Sequence, residues 1–435
     1  MRQVYTFQIN KPSDLRGQLL SKSKEVDYIS ILDSNTQTTR PNLPADYINY
    51  DLIAGVDELD ILEVNKNSFI QLKNFHQKNQ DWLFGYLSYD LKNEVEKLTS
   101  KNHDGIKAPL LSFFIPKYVL LLKGNVLEIH TYELKENCEQ FIANFKVTNE
   151  VKISSILLQQ RDTQEKYLQK IEKIKKHIQR GDIYEMNYCQ EFFAENINLN
   201  PEAVFQQLNN NATTPFASFL KLNNLYAMCA SPERFIKKLG NKLISQPIKG
   251  TRKRGVNINE DIALFEELVK SEKDISENIM ITDLVRNDLS ITASKGSVKV
   301  DELCEVYTFE KVHQMITTIT SEVDSKVHFS EILKSVFPMG SMTGAPKLRA
   351  MELIEEFENF KRGVFSGAIG YITPKGDFDF NVVIRTILYN ASTKYLSVGV
   401  GGAITIKSDE QEEYEECLVK VKPIFEVLNF QLDEK

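Results

Sequence analysis

The chain has 435 residues, 42% hydrophobic and 26% charged, a balance typical of a globular protein long enough to bury a large core. Its 60 acidic residues exceed its 53 basic ones, and the net charge of −7 argues against a partner bound through a phosphate backbone. Five cysteines without a CxxC pair, no signal-peptide pattern and no apolar run of membrane-spanning length predict a cytoplasmic protein with reduced thiols.

The first part of the chain mixes short apolar runs with polar turns. Residues 118–122 and 126–130 are apolar and flank Lys123-Gly-Asn125, which predicts a β-hairpin. Residues 149–161 form the best joint. We therefore expect an N-terminal region, 1–150, and a catalytic region, 151–430, packed intimately as one unit.

A helix is predicted directly after this joint. Residues 162–165, Asp-Thr-Gln-Glu, resemble a capping box. Apolar residues then recur at helical spacing over residues 168–178, and Gly181 follows as a stop signal. Further on, residues 242–247 predict a strand, and residues 260–270 and 276–285 predict helices.

The C-terminal part alternates strands with a helix. Residues 364–373 and 378–388 are rich in β-formers and surround Pro374-Lys-Gly-Asp377, a strong hairpin signal. Residues 395–406 predict a strand interrupted by glycines, and an acidic helix is expected over residues 409–422, before Pro423. Hairpins mixed with helices favour an α+β fold.

Two basic or acidic clusters carry possible chemistry but also have simpler interpretations. Glu233, in Ser-Pro-Glu-Arg-Phe, is either a general acid or part of a salt bridge in a turn. Lys249 ends an apolar strand before Gly250, and the nearby Arg252 and Arg254 would favour its neutral, nucleophilic form. The simpler interpretation of this second cluster is a basic surface loop.

Two helical clusters are equally ambiguous when taken alone. Glu277 lies on an apolar helix face, where a solvated rim residue is the usual interpretation. Glu413, Glu416 and Lys420 share one helix face, which an acidic helix start also explains. Glycine-rich residues 337–347 and 398–403 let backbone amides approach an anion, but neither nucleotide-binding glycine motif is present.

The order of these segments is more informative than any one of them. PIKGTRKRG is followed by ENxMxxDLxRND, FPMGSMTGAPK, SGAIGY, IRT, GGAI and an acidic helix that ends in lysine. In this order the chain resembles the chorismate-binding enzyme family over about residues 160–425, and more loosely before that, where residues 81–90 match best.

The resemblance implies a fold and a metal. The family's α+β fold packs two large antiparallel β-sheets face to face, with helices outside and the site between the sheets. Its chemistry requires Mg²⁺, which binds the ring carboxylate of chorismate and makes C2 open to attack. Glu277 and Glu416 match the metal carboxylates, and Glu413 matches a residue that helps through water.

The resemblance also implies substrate contacts. Arg385 and Tyr371 match positions that hold the enolpyruvyl carboxylate, and Gly402 matches one that offers its amide. Thr251 and Lys420 match positions on the ring side. An arginine suits a carboxylate because its planar fork donates two parallel hydrogen bonds.

The remaining matched positions concern the reaction itself. His313, Ser341 and Glu233 match positions near the departing C4 hydroxyl, with Glu233 as the general acid. Water-using members have a lysine where this chain has Glu185, and amine-transferring members usually have glutamine there. Lys249 stands where anthranilate-forming members have alanine. The resemblance thus implies amination of chorismate at C4, to aminodeoxychorismate, with Lys249 as the attacking amine.

The chain carries no glutaminase signature. No cysteine lies in a glycine-flanked nucleophile turn, so a separate glutamine amidotransferase partner is expected to supply ammonia. Two alternatives remain: an anthranilate-forming enzyme, since Asp33-Ser34 faintly resembles a tryptophan-binding motif, and a chorismate-binding subunit without catalysis. The second alternative predicts loss of Glu233, Glu277 or Glu416, and all three are present.

Overall fold

The computed structural model describes residues 1–35, 49–146 and 153–432. The strands in these ranges are β1 Gln3–Gln8, β2 Tyr28–Asp33, β3 Leu52–Val64, β4 Leu83–Leu87, β5 Leu111–Lys123, β6 Val126–Thr131, β7 Leu157–Gln160, β8 Glu185–Ala194, β9 Phe216–Leu222, β10 Leu225–Ser231, β11 Arg234–Leu239, β12 Lys242–Gln246, β13 Ile248–Lys253, β14 Lys299–Thr308, β15 Val312–Glu322, β16 Gly344–Ala345, β17 Ala368–Ile372, β18 Phe378–Asn381, β19 Thr386–Asn390, β20 Tyr395–Ile404 and β21 Gln431–Leu432. The α-helices are α1 Leu15–Lys22, α2 Ser68–Asn79, α3 Lys92–Val95, α4 Lys135–Ala143, α5 Gln164–Arg180, α6 Pro201–Ala212, α7 Ile258–Lys270, α8 Glu272–Ser290, α9 Phe329–Val336, α10 Lys347–Phe357 and α11 Glu410–Val427.

Apart from β16, which pairs with β8, and β21, which pairs in parallel with β7, the strands form two antiparallel sheets. One has the order β1-β6-β5-β3-β2-β9-β10-β19-β20-β8-β7. The other runs β5-β4-β17-β18-β11-β12-β15, and β13 and β14 both pair with β15. The predicted α+β fold is confirmed.

The long strands β3 and β5 belong to both sheets. The first half of β3 pairs with β2, and the first half of β5 pairs with β4. The β3–β5 ladder is continuous except for an irregularity between Glu58 and Asp60. Such an irregularity bends a strand and increases its twist, so the two sheets turn away from one another while sharing one pair of strands.

Strand β8 is buried on both faces. Phe192 packs in an apolar cluster with Tyr167 of α5 and Ile424 of α11. Its neighbour Phe193 belongs to a second cluster, which contains side chains from both sheets. Alternate residues of a strand point to opposite faces, so β8 lies between the second sheet and the helical layer. Burial of each phenylalanine contributes about 1.5–3 kcal/mol.

The start of α5 was predicted one residue too early. Thr163, rather than Asp162, accepts the capping hydrogen bond, from the Lys166 amide. Gly181 closes this helix with a φ of +83°, as its position after the last apolar residue predicted. Asp162 instead binds Lys170 at 2.6 Å, since it lies one position too far from the helix to reach the free amides.

The end of α11 was also predicted wrongly. The helix continues through Pro423 to Val427, although proline lacks an N–H donor and crowds the preceding turn. Val421, Ile424 and Val427 are buried on either side of the proline, and their packing outweighs the lost hydrogen bond. No helix among the described residues is both long and apolar enough to span a membrane.

Candidate functional site

Lys249 and Glu185 form an ion pair at the centre of the candidate site. Lys249 extends from β13, Glu185 begins β8, and 3.3 Å separates Nζ from Oε1. The side chains are only 12% and 2% exposed. Gly250 has a φ of +87°, and a Cβ there would lie 2.8 Å from Leu268 of α7. A glycine therefore lets β13 pass close beneath α7 directly after the lysine.

The charges around Lys249 raise its pKa. Burial acts to lower the pKa, but the carboxylates of Glu185, Glu277 and Glu233 outweigh it. The sequence interpretation, in which Arg252 and Arg254 depress this pKa, is wrong because both guanidinium groups are neutralised. Ion pairs join Arg252 to Glu267 and Asp274 at 2.8 and 3.0 Å, and Arg254 to Asp261 at 2.6 Å.

Glu277 extends from α8 without a partner. Within the described part of the chain its carboxylate makes no hydrogen bond and no ion pair, although it lies within electrostatic reach of Lys249. Burial raises the pKa of Glu277 to about 7, against the opposing charge of Lys249. A buried carboxylate with no neutralising contact is costly, and a bound cation would remove that cost.

Three side chains of α11 surround Gly402 of β20. A Cβ on Gly402 would lie 3.3 Å from both Glu413 Oε2 and Lys420 Nζ, and 3.9 Å from Glu416 Oε1. Lys420 Nζ donates to Glu416 at 2.7 Å and to the Gly401 carbonyl at 3.0 Å. Glycine at this position keeps the β20 backbone open to the polar face of α11.

Glu413 and Glu416 of α11 have pKa values shifted in opposite directions. Burial raises the pKa of Glu413, although Ser408 donates to its Oε1 at 2.7 Å. Burial also acts to raise the pKa of Glu416, but Lys420 outweighs it and the pKa falls below its usual range. Glu416 is therefore ionised across the neutral pH range.

Glu233 lies in the short connection between β10 and β11. Burial raises its pKa to about 7, opposed by the Ser341 hydroxyl and the charges of Lys249 and Arg385. Glu233 and Ser341 also line a cavity of about 20 Å³ whose other walls are largely apolar. A carboxyl group that titrates near neutral pH in a buried position can donate a proton.

Arg385 interrupts the predicted strand of residues 378–388. The residue has a φ of +51° and stands between β18 and β19. Burial lowers the pKa of its guanidinium, while Glu233 opposes that effect. Left-handed backbone is rare for a branched or long side chain and is typical of functional positions.

Lys249 connects the parts of this site. Its charge affects the pKa values of Glu233, Glu277 and Glu416, and it binds Glu185 directly. These glutamates come from four separate segments of the chain. The structure therefore brings together the predicted residues Glu233, Ser341, Arg385, Lys249 and Glu277 with the α11 group of Glu413, Glu416, Lys420 and Gly402.

The structure places His313 elsewhere. Its ring is bonded to Thr308 at 2.9 Å and to Asp261 of α7 at 3.0 Å, beneath the Arg254–Asp261 ion pair. The next residue of β15, Gln314, points to the opposite face and lies opposite Thr251 of β13. The assignment of His313 to the departing hydroxyl is thus corrected: strand alternation turns the ring away from that face.

Tyr371 is also placed elsewhere. It lies on β17 against Trp82 and Phe84, with ring centroids 5.8 and 6.0 Å away. It lines a second cavity, of about 70 Å³, together with Asp33 and Ser34. The pairing of β17 with β4 directs the side chain there, so its expected role beside Arg385 is not supported.

Lys273 of α8 lies within electrostatic reach of the candidate site and was not predicted. Its charge acts to lower the pKa values of Glu277, Glu413 and Glu416. The signal was present in the sequence, because Lys273 lies four residues before Glu277 on one helix. Its proximity to α11 depends on tertiary packing and could not be predicted from the sequence.

The carboxylates of Glu277 and Glu416 are ligands of the type that Mg²⁺ prefers, but they do not form a compact cluster of protein ligands. Among the described residues, no three histidine, cysteine, aspartate or glutamate side chains stand close enough to hold a metal. Mg²⁺ typically takes one or two protein carboxylates and keeps several waters. The unpaired Glu277 and the ionised Glu416 meet that requirement.

Comparison with known proteins identifies the family. A family model described as chorismate binding enzyme matches residues 30–426. This chain belongs to that family. The resemblance inferred from the order of the sequence motifs is confirmed, and it extends further toward the N-terminus than the motifs indicated.

Several members of this family with related sequences are aminodeoxychorismate synthases. The component 1 protein of Escherichia coli K12 is 39% identical over 80% of this chain and 77% of its own length. The chloroplastic enzyme of Arabidopsis thaliana is 31% identical over 99% of this chain, which spans 48% of that enzyme. A Streptomyces griseus aminodeoxychorismate synthase is 40% identical, and this chain spans 37% of it.

Solved structures of other chorismate-binding enzymes share the fold. Anthranilate synthase component I from Streptococcus pneumoniae TIGR4 matches with a TM-score of 0.78 and 22% identity, over 89% of this chain and 95% of that one. The menaquinone-specific isochorismate synthase from Escherichia coli matches with a TM-score of 0.77 and 15% identity, over 98% and 95% of the two chains. These similarities confirm the arrangement of sheets and helices.

Proposed function

We propose that this chain is component 1 of an aminodeoxychorismate synthase, which replaces the C4 hydroxyl of chorismate with an amino group. The observation that carries the proposal is a buried lysine, Lys249, held among the glutamates of the site. The names of the related proteins support the same reaction. A cytoplasmic location fits it, since none of the five cysteines forms a disulfide.

The first half of the reaction uses Lys249 and Glu233. The surrounding carboxylates hold Lys249 as an ammonium group, so it first gives a proton to solvent, and the neutral amine then forms a bond to C2 of the ring. The ring double bonds shift, the C4–O bond breaks, and Glu233 protonates the departing hydroxyl so that it leaves as water. Glu233 is suited to this role because burial holds its pKa at about 7.

The second half releases the lysine. Ammonia forms a bond to C4, the double bonds shift back, and the C2–N bond breaks so that Lys249 leaves as a neutral amine. The new C4 ammonium returns one proton to Glu233. Atoms and charge balance, because chorismate and ammonia give aminodeoxychorismate and water.

The ring carboxylate and the enolpyruvyl carboxylate of the substrate need separate binding groups. Glu277 and Glu416 would hold Mg²⁺, with Glu413 acting through water, and the metal would draw electrons from the ring through its carboxylate. We assign Arg385 and the Gly402 amide to binding of the enolpyruvyl carboxylate. Thr251 and Lys420 are assigned to contacts with the ring side of the substrate.

Product analysis tests the proposal. Purified chain is incubated with chorismate, ammonium chloride and Mg²⁺, and an aminodeoxychorismate lyase is then added. We expect p-aminobenzoate only after the lyase is present. Direct formation of fluorescent anthranilate would overturn the proposal in favour of the anthranilate-forming alternative, and no product at all would favour a non-catalytic subunit.

The metal assignment has its own test. Excess chelator should abolish turnover, and Glu416→Gln, which keeps the shape but removes the charge, should raise the Mg²⁺ concentration needed for half-maximal activity at least about tenfold. Full turnover in excess chelator would contradict the assignment. Glu412→Gln, one turn earlier on the exposed side of α11, is the matched control and should behave like the parent protein.

A further inference from the structure

Glu185 has one carboxylate oxygen that nothing satisfies. Its Oε1 lies 3.3 Å from Lys249 Nζ, but Oε2 is fully buried without a hydrogen-bond partner. The side chain as a whole is 2% exposed. An unsatisfied buried carboxylate oxygen costs free energy, so its presence in the site requires an explanation.

The backbone around Glu185 is tightly packed. Glu185 pairs with Ala345 in the short β16 ladder, and Gly344 next to it has no room for a Cβ, which would lie 2.2 Å from the Glu185 carbonyl. The other oxygen of the same carboxylate is bonded to Lys249 at 3.3 Å. Oε2 is thus an unsatisfied acceptor beside the Lys249 ammonium group.

We propose that Glu185 Oε2 binds the ammonium ion that supplies the new amino group. The inference rests on the proposed function and names the residue that holds its second substrate. Ammonium fits because it is a small cation with four donors, and a carboxylate oxygen accepts a charge-assisted hydrogen bond from it. The glutamine that amine-transferring members usually have here would accept a hydrogen bond from ammonium through its amide oxygen, but it would supply no charge and take up no proton.

The position also fits the chemistry. An ammonium ion on Oε2 lies on the same carboxylate as Lys249, whose bond to C2 must break as the new bond to C4 forms. As the nitrogen bonds to C4, the ion gives one proton to Glu185 and attacks with the freed electron pair. Glu185 later releases that proton to solvent, so the ion enters with four hydrogens and delivers ammonia.

The variant Glu185→Gln tests this directly, because it keeps the shape of the side chain and removes its charge. With ammonium chloride as the varied substrate at fixed pH and saturating Mg²⁺, we expect its KM for ammonium to rise at least tenfold. The KM for chorismate and the Mg²⁺ dependence should stay within about twofold of the parent values.

Glu191→Gln is the matched control. Glu191 lies on the same strand, is equally buried, and pairs with Arg161 rather than with Lys249. Its removal should leave the KM for ammonium unchanged in protein that remains folded by circular dichroism.

An unchanged KM for ammonium in Glu185→Gln would overturn the proposal. If the Mg²⁺ requirement changes instead, Glu185 is a metal-site residue. Both are distinguishable from failure of the proposed function, in which the parent protein itself forms no aminodeoxychorismate.

Discussion

Lys249 is the residue on which the proposed chemistry depends. Replacing it with alanine removes the attacking amine and leaves Glu185 and Glu277 without their positive neighbour. We expect Lys249→Ala to lower the rate of aminodeoxychorismate formation by about 10²-fold or more. Mass spectrometry of the intact protein with chorismate, without ammonia, should detect an adduct on the parent and none on the variant.

Lys253 provides the control for this prediction. It is exposed and lies four residues further along the same basic segment. Lys253→Ala should keep the parental rate and the adduct. Parental turnover of Lys249→Ala, with the same product, would eliminate the covalent route.

Glu233 should give the pH dependence of the reaction. Its carboxyl must carry a proton to release the hydroxyl as water, and burial raises its pKa to about 7. The protonated form therefore dominates below about pH 7 and is lost as the pH rises through that value. The neutral fraction of Lys249, whose pKa is raised, grows with pH and offsets this loss, so at saturating Mg²⁺ kcat/KM should rise up to about pH 7 and level off above it.

The variant Glu233→Gln separates this group from others that titrate nearby. It should lose about 10²- to 10⁴-fold in kcat/KM, and the remaining activity should keep rising above pH 7 as Lys249 loses its proton. If the levelling near pH 7 persists unchanged in the variant, a group other than Glu233 donates the proton.

At the level of secondary-structure elements, His313 of β15 stabilises the packing of α7 on that strand. Its bond to Asp261 and the Arg254–Asp261 ion pair hold the first turn of this helix against the strand. His313→Asn should lower the melting temperature because it replaces a buried ring and loses its hydrogen bonds to Asp261 and Thr308, while kcat stays within about twofold of the parent value.

Asp261→Asn tests the same contact by changing the hydrogen-bond partner of His313. It removes the partner of both Arg254 and His313 and should lower the melting temperature in the same way. A loss of kcat beyond about tenfold in His313→Asn, in protein that is still folded, would return His313 to the catalytic site.

Elements with local signals were predictable from the sequence. The β5–β6 hairpin surrounds its Gly124 turn as expected, and Gly181 ends α5. The end of α11 was not predictable, since proline is a local signal and the packing that overrides it at Pro423 is tertiary. The same holds for the break at Arg385, where a continuous β-rich run divides into two strands.

The site was predictable in composition but not in orientation. Motif order identified Lys249 and Glu277, which the structure brings into electrostatic contact. It did not separate His313 from Gln314, because neighbouring residues of a strand face opposite sides and the register depends on a distant partner strand. Tyr371 was misplaced for the same reason.

At the scale of the whole molecule, the proposed reaction requires an external source of nitrogen. All five cysteines are free, and four of them are buried, while Cys304 on β14 is partly exposed and is not flanked by glycines. The purified chain should therefore use ammonium but not glutamine, and a glutamine amidotransferase partner should restore glutamine-dependent turnover. Glutamine-dependent product from the pure chain alone would contradict this, as measured by the lyase-coupled assay.

The pairing of β4 with β17 has a consequence for synthesis of the protein. Strands β17, β18, β19 and β20 complete both sheets by pairing with β4, β11, β10 and β8, all of which are translated much earlier. Until these late strands leave the ribosome, the earlier ones present open hydrogen-bonding edges and apolar faces. A nascent chain of this protein therefore exposes surfaces prone to aggregation until residues 368–404 have been made.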